Sequence, residues 1–503
     1  MTSTFSKDQL KAVRAQFPAL VAADAAQGAA SGYVYAENAG GSQVLSSVAE
    51  SISSYLLNTN VQMANYGLAK RAESKVSLGT CAAAALLGAD SAEDVMIGQS
   101  ATSLVAAIAA MIENKVLEDR KGDKEVEGLW KEGDEIVISD ADHETNRGAW
   151  TRMAERLGLV IKHWPVSATA TADPSKNPFA VTLDPKILSG LLTPKTRLVA
   201  FTACSNLLGA FTPISEAVSV IRSVTPAALV AVDCVAFAPH RRVTPSSWGV
   251  DIAFFSMYKI YGAHVGAMYV NPSIKSRALK RLNHFFLQPP SSEIPGMYPY
   301  QTSSVQYELN HSIAAVADYL VSLGQGIVGS GKRVDWNAVY SASTPSSSSS
   351  SFSLSSEEGE LVKMTKKEVD SALEEAFSKI AKHESTLMSA LIPTLLKYHH
   401  KGVRIVGPQE YDSTTRAPTV AFATINNDNG NHRVGTSKLI HSKLVESGKM
   451  GAQQGHMYAH KLVSSLGLDL IDGVVRLSFV HYNTEEEVKR VVQLLEKVLD
   501  EVL

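Results

Sequence analysis

Residues 228–234, ALVAVDC, and residues 251–270, DIAFFSMYKIYGAHVGAMYV, hold three short apolar runs in close succession. Runs of Val, Ala, Ile and Phe without polar alternation are the mark of strands buried on both faces of a mostly parallel sheet, where helices cover each side. The first run ends in Asp233; the second ends in Ser256, with Lys259 just beyond it. Working outward, EIVISDAD (135–142), LVIKHW (159–164) and RLVAFTACS (197–205) repeat the pattern, and helix-like stretches at 101–119, 146–158 and 214–224 lie between the runs. This alternation predicts an α/β domain whose ligands sit beyond the carboxyl ends of its strands.

Farther along, the character changes. Residues 341–360, SASTPSSSSSSFSLSSEEGE, are too poor in apolar groups to offset the entropy of ordering them, which predicts a surface insertion over 326–360. Gly324 to Gly329 fits GxGxxG, but it follows a helix-like segment and opens no helix of a βαβ unit, so it reads as a flexible linker. After the insertion come a charged helical stretch at 366–398, strand-like VRIVG, TVAFATI and VVRLSFV, and an amphipathic last helix. The expected division is an N-terminal segment at 1–32, a large cofactor-binding domain at 33–325, the insertion at 326–360, and a small α+β domain at 361–503.

The balance of 47 basic against 50 acidic residues leaves a net charge of −3, with 45% hydrophobic and 19% charged residues. That is an ordinary globular composition with no basic field for phosphate backbones, so neither nucleic acid nor an anionic membrane is an expected partner. Three cysteines, none in a CxxC pair, supply neither a disulfide framework nor structural zinc, and no metal site is expected. The first twenty residues hold no apolar run of signal-peptide type, which makes the cytoplasm the expected location.

An acid and a lysine projecting from neighbouring strand ends suggest pyridoxal phosphate. That cofactor needs an amine for a Schiff base, a carboxylate to keep its pyridine nitrogen protonated, and donors for its phosphate. Strand-like DVMIG running into Gln99-Ser100-Ala101-Thr102 and a long helix offers the donors, since a helix N-terminus attracts anions. Taken singly, each residue has a plainer reading: serine at a helix start is a common N-cap, and aspartate at a strand end is a common cap.

In order, VYAENAGGSQV (34–44), GQSATS (98–103), ADHETNRGAW (141–150), SNLLGA (205–210), VDCVAFAPH (232–240), SMYKIYGAHVGAMYV (256–270) and RLSFVHYNTEEEV (476–488) resemble the class V aminotransferase family of fold-type I pyridoxal-phosphate enzymes, in its cysteine-desulfurase-like branch. The resemblance implies a mostly parallel central sheet with helices on both faces and a smaller C-terminal α+β domain. It implies that Lys259 carries the Schiff base and shuttles the α-proton, that Asp233 pairs with the pyridine nitrogen, and that His143 stacks on the ring. Ser100, the N–H of Ala101, and Ser256 hold the phosphate, and Thr302 reaches the phosphate of the neighbouring subunit of a homodimer. Asn206 lies near the ring oxygen or the substrate, and Arg476 clamps the carboxylate of an amino acid substrate with its planar fork. His456 is a further expected substrate contact.

Departures from the family pattern bear on the reaction. Ala236 and Tyr258 stand where desulfurases carry a glutamine and a histidine, and the stretch MGAQQGHMYAHK (450–461), which aligns with the loop of the nucleophilic cysteine, has no cysteine. Cys204 and Cys234 sit in or beside strands, where a thiol is usually a small buried hydrophobe. A persulfide-forming desulfurase is therefore disfavoured. Tyr258-Lys259 and VDCVAFAPH are similar to a subgroup that includes fungal biosynthetic enzymes remodelling amino acids. The open reactions are β-elimination or C–S cleavage, β-decarboxylation with carbon–carbon bond formation, racemisation, and transamination as an aminotransferase. A non-catalytic relative that only binds the cofactor is the reading from another class.

Overall fold

The computed structural model describes residues 5–25, 32–122, 128–282, 296–340 and 361–503. At its centre lies a seven-stranded sheet in the order Val95–Gly98, Gly266–Val270, Ile252–Ser256, Leu229–Asp233, Thr196–Thr202, Glu135–Ser139, Val160–Trp164. From Ile252–Ser256 to Val160–Trp164 every neighbouring pair is parallel. Gly266–Val270 runs antiparallel to both of its neighbours. The expected α/β architecture is therefore the observed one, with one reversed strand that returns directly from the lysine turn.

Successive side chains on a strand point to opposite faces. Leu229, Ala231, Ile252 and Phe254 accordingly enter one apolar core, while Val230, Val232, Ala253 and Phe255 enter another on the far side of the sheet. Both faces are covered, which is why these strands read as continuous apolar runs. Each fully buried Phe or Leu there contributes roughly 1.5–3 kcal/mol relative to exposure, so sliding a strand by one residue would interchange two cores.

A smaller antiparallel sheet is ordered Val403–Val406, Thr419–Thr424, Val474–Ser478, Gln453–Gly455. A third core joins it to the helices Lys366–Lys397 and Glu485–Val502. Both helices begin in capping boxes, Thr365 with Glu368 and Thr484 with Glu487, which satisfy backbone N–H groups that a helix start leaves open. The helix Lys366–Lys397 also packs on Tyr307–Gln325, and so connects the large domain to the small one.

Three placements differ from the sequence division. Val34–Tyr35, grouped above with the large domain, pairs in parallel with Met450–Gly451 of the small one, and Glu37 bridges to Ser478. Gly324 is no linker residue: it lies in the helix Tyr307–Gln325, where a Cβ would stand 1.8 Å from the Ala372 carbonyl oxygen, so glycine is what lets two helices touch. Gly326, at φ +73°, then ends that helix in the left-handed conformation glycine favours. Residues 326–340 are also folded. Arg333–Val334 pairs with Leu361–Val362, and Trp336 is fully buried with its Nε1 donating to Asp318 Oδ1 at 2.9 Å. The serine-rich stretch 341–360 lies outside the described residues. Among the described residues no helix is long and apolar enough to cross a membrane.

Candidate active site

The carboxyl ends of the central strands open on a cavity of about 820 Å³, closed from the other side by the small sheet and by residues 453–458. Asp233, Ser256, Lys259, Asn206, His143, Ala101, His456 and Arg476 all line it. Eight residues from seven separate stretches of sequence thus meet in one place.

Asp233 is the last residue of its strand and is 3% exposed. Its Oδ1 accepts the Val235 N–H at 2.8 Å. Burial pushes its carboxyl up to about 6, against the pull of that N–H and of Lys259. Lys259 ends the single turn that follows the Ser256 strand. Its Nζ donates to the carbonyls of Ala39 and of Gly40, the latter at 3.0 Å. Burial, with Arg476 adding to it, brings the amine down to about 7, while Glu37 and Asp233 oppose the shift. Behind the lysine, Tyr261 is left-handed at φ 74° despite its side chain, and the conformation is held by Ser42 Oγ, which accepts its N–H at 2.8 Å.

His143 accepts the Thr145 N–H on Nδ1 at 3.1 Å, so the proton of its neutral ring sits on Nε2. Burial, together with Lys259 and Arg476, lowers its pKa to about 4, and the ring is neutral at physiological pH. At the start of the helix Ala101–Lys121 the Ala101 N–H donates to Ser256 Oγ at 3.2 Å. The passing strand comes so close that a Cβ on Gly266 would lie 2.6 Å from the Ser100 carbonyl carbon and 2.8 Å from the Ala101 nitrogen. The Ser100 hydroxyl, expected at the phosphate, is not on the cavity wall. It caps the helix by accepting the Ser103 N–H at 3.1 Å, and Thr102 stands on the wall in its place. Thr302 is exposed and lies off this cavity.

Arg476 projects from the central part of Val474–Ser478 and is 2% exposed. Its Nη1 donates to the Asn206 carbonyl at 3.0 Å, and its Nη2 donates to Glu37 Oε1 and Oε2 at 2.8 and 3.2 Å. Asn206 in turn ties down the loop opposite, its Nδ2 donating to the Met457 carbonyl at 2.8 Å. In that loop Met457 and Tyr458 are consecutive left-handed residues, at φ 44° and 61°, a strained arrangement worth roughly 1–3 kcal/mol at each residue. Glu144 N–H to the Tyr458 carbonyl at 2.9 Å helps to hold it. The Tyr458 ring stands 5.3 Å from that of His143.

The residues fit pyridoxal phosphate. A buried carboxylate, a lysine, a neutral imidazole and a helix N-terminus with a hydroxyl beside it match its pyridine, aldehyde, ring face and phosphate. Asn206 Oδ1 is buried with no hydrogen-bond partner among the described residues, an unspent polar atom where a bound group completes the wall. Glu37 and Thr145 are wall residues that the sequence does not single out, and the Thr145 hydroxyl lies 3.0 Å from that of Thr102. Glu37 stands in the stretch VYAENAGGSQV, and a charge inside an otherwise apolar and small-residue segment is the signal that points to it. Tyr258 lines the cavity as well and stacks on His264, with ring centroids 4.7 Å apart. Cys204 borders the cavity but is 2% exposed, and burial pushes its thiol up, away from the thiolate.

The Aminotransferase class-V family model matches residues 34–287 and 367–491. An aminotransferase-like protein, FGM3, of Gibberella zeae is 31% identical over 505 residues, covering 99% of this chain and all of that one. The cysteine desulfurase-like protein ustD of Aspergillus flavus is 29% identical over 367 residues, 73% of this chain and 67% of that one. In fold the chain is similar to the cysteine desulfurase of Thermococcus onnurineus, with a TM-score of 0.70 at 16% identity over the full length of both. The cavity at the strand ends and these matches lead to one conclusion: the chain belongs to the class V aminotransferase family and is a pyridoxal-phosphate-dependent enzyme of its cysteine-desulfurase-like branch.

Proposed function

We propose that the enzyme acts on a free amino acid and breaks a bond at its β-carbon as a lyase, without a protein thiol. One observation carries this reading: Lys259, Asp233 and Arg476 share a cavity whose bordering cysteine is sealed and held as the neutral thiol. When bound, pyridoxal phosphate supplies an electrophile for the substrate amine and a sink for electrons left on the α-carbon. The rest is the work of the chain's own groups. Asp233 would meet the pyridine nitrogen, the Ala101 N–H with the Ser256 and Ser100 hydroxyls would hold the phosphate, and His143 would cover a ring face. Arg476 holds the α-carboxylate, with Asn206 and His456 at the edges of the substrate.

Orientation then decides the chemistry. A carboxylate fixed at Arg476 and an amine fixed over Lys259 leave one remaining substituent of the α-carbon facing Lys259. With a pKa brought near neutrality, Lys259 takes the α-proton and later returns one to the product. A sulfur substituent on the β-carbon leaves as a thiolate with its bonding pair, toward the side of the cavity bounded by Gln453, Gln454 and Tyr458, as the α-carbon pair closes a double bond to the β-carbon; a β-carboxylate leaves instead as CO2, and its pair stays on the β-carbon for a proton or a carbon electrophile. Elimination of this kind needs no enzyme nucleophile.

Amine transfer is the second reading, favoured by the aminotransferase-like name of the Gibberella relative. The partners proposed are the amino acid and a second copy of the chain, with Thr302 of each subunit turned to the other's phosphate. The test is a panel of amino acids, among them cysteine, cysteine conjugates, alanine and aspartate, given to the cofactor-loaded enzyme with products read by mass spectrometry. Multiple turnovers releasing a β-substituent without added keto acid are expected, and Lys259→Ala is expected to abolish them while keeping the fold. A single turnover that stops until a keto acid is added would overturn the lyase in favour of the aminotransferase.

A further inference from the structure

Glu37 belongs to none of the roles above, yet it holds the group on which substrate binding depends. The loop 37–41 folds back so tightly that a Cβ on Gly40 would lie 2.2 Å from Glu37 Oε1, and the carboxylate is thereby pressed onto Arg476 Nη2. Arg476 Nη1 is already given to the Asn206 carbonyl. The protein's own acid therefore occupies the edge of the guanidinium that a substrate carboxylate requires. Two ionised carboxylates cannot share one buried guanidinium edge without strong repulsion, and the ordinary resolution is for one of them to take up a proton.

Resting on the reading of Arg476 as the carboxylate clamp, we propose that Glu37 is a proton-linked latch on the amino-acid site: ionised, it occupies Arg476, and protonated, it yields the guanidinium to the substrate. The groups facing Glu37 are Arg476 on its strand, Lys259 on its turn, His441 on the helix Thr436–Glu446, and Tyr35 on its own segment. In the loaded enzyme the Lys259 amine is committed to the cofactor, which leaves Arg476 as the principal cation against Glu37. Burial raises the Glu37 pKa and Arg476 opposes it, so the latch opens on the acid side. Above the Glu37 pKa, each unit of pH weakens carboxylate binding by up to about tenfold, since one proton must be taken up for each molecule bound.

Propionate, a carboxylate without an amine, isolates the effect. Its dissociation constant from the loaded enzyme is measured from about pH 6 to 9 by the change in the cofactor's visible band. Proton uptake is measured by calorimetry in buffers of different ionisation heat. The wild-type enzyme is expected to weaken up to tenfold per pH unit on the alkaline side and to take up as much as one proton per propionate. Glu37→Gln is expected to bind more tightly at alkaline pH, with a flat profile and no uptake, and Glu37→Asp to keep the uptake. A pH slope that persists in Glu37→Gln, or a Glu37→Gln variant that binds no tighter at pH 9, overturns the latch. Arg476→Ala separates the two readings: loss of propionate binding there supports the clamp, and binding that survives overturns the clamp itself.

Discussion

Asp233 shows how a single side chain ties cofactor to fold. Its carboxyl is buried at a strand end and titrates near 6 in the protein alone, above the usual carboxylate range, because the interior penalises the charge. The folded state therefore binds a proton more readily than the unfolded one. Above about pH 6 both states are ionised and the folded protein bears the full penalty; the penalty is relieved as pH falls through 6 toward 4. Cofactor-free Asp233→Asn should thus be more stable than wild type at pH 7, by roughly 3 kcal/mol at most, and no different at pH 4. Urea unfolding at the two pH values checks this, and loading the wild type with pyridoxal phosphate should erase the deficit by giving the carboxylate a cation. Asp233 and Lys259 were legible in the sequence because each ends a strand of unmistakable pattern. Ser100 shows what sequence leaves open: a hydroxyl at a helix start can serve the backbone, as it does for the Ser103 N–H, and still keep its own proton for a phosphate. The charge of Glu37 stands out in its segment, but its role does not, because its partner lies 439 residues away.

Among the elements, the central strands were the easiest to read and the pairing of short ones the hardest. Residues 252–256 and 266–270 carry their burial in their composition. The two-residue strand Val34–Tyr35 gains its identity from Met450–Gly451, and nothing local to either names the other. Gly324 was a similar trap: the sequence shows a glycine-rich string, whereas the structure shows two helices in contact through the missing Cβ. Gly324→Ala should force Tyr307–Gln325 away from Lys366–Lys397 and destabilise the protein by about 1–3 kcal/mol, even though alanine is the better helix former. A thermal midpoint equal to or above that of wild type would show that the contact yields without cost. The same logic explains why the sequence puts the start of the insertion at 326 while residues 326–340 are folded. Trp336 and the paired Arg333–Val334 are few residues, and their anchoring to Asp318 and Leu361–Val362 is long-range.

For the molecule as a whole, the proposed homodimer predicts a mass of about twice 53.9 kDa in sedimentation experiments. On that proposal, Leu57 at 80% exposure and Leu56 at 45%, both on the helix Ser46–Asn58, lie on the side the second copy covers. Leu57→Glu should raise the dimer dissociation constant at least about tenfold; an unchanged constant would place the interface elsewhere. Assembly within one chain has its own consequence. The two halves of the ion pair between Glu37 and Arg476 leave the ribosome 439 residues apart, which at about 5–20 residues per second is roughly 20 to 90 s. Through most of that interval the segment around Val34–Tyr35 has no strand to pair with, and Glu37 lacks Arg476. A nascent chain thus holds Asp233 and Lys259 well before it holds Arg476, the residue proposed to receive the substrate carboxylate.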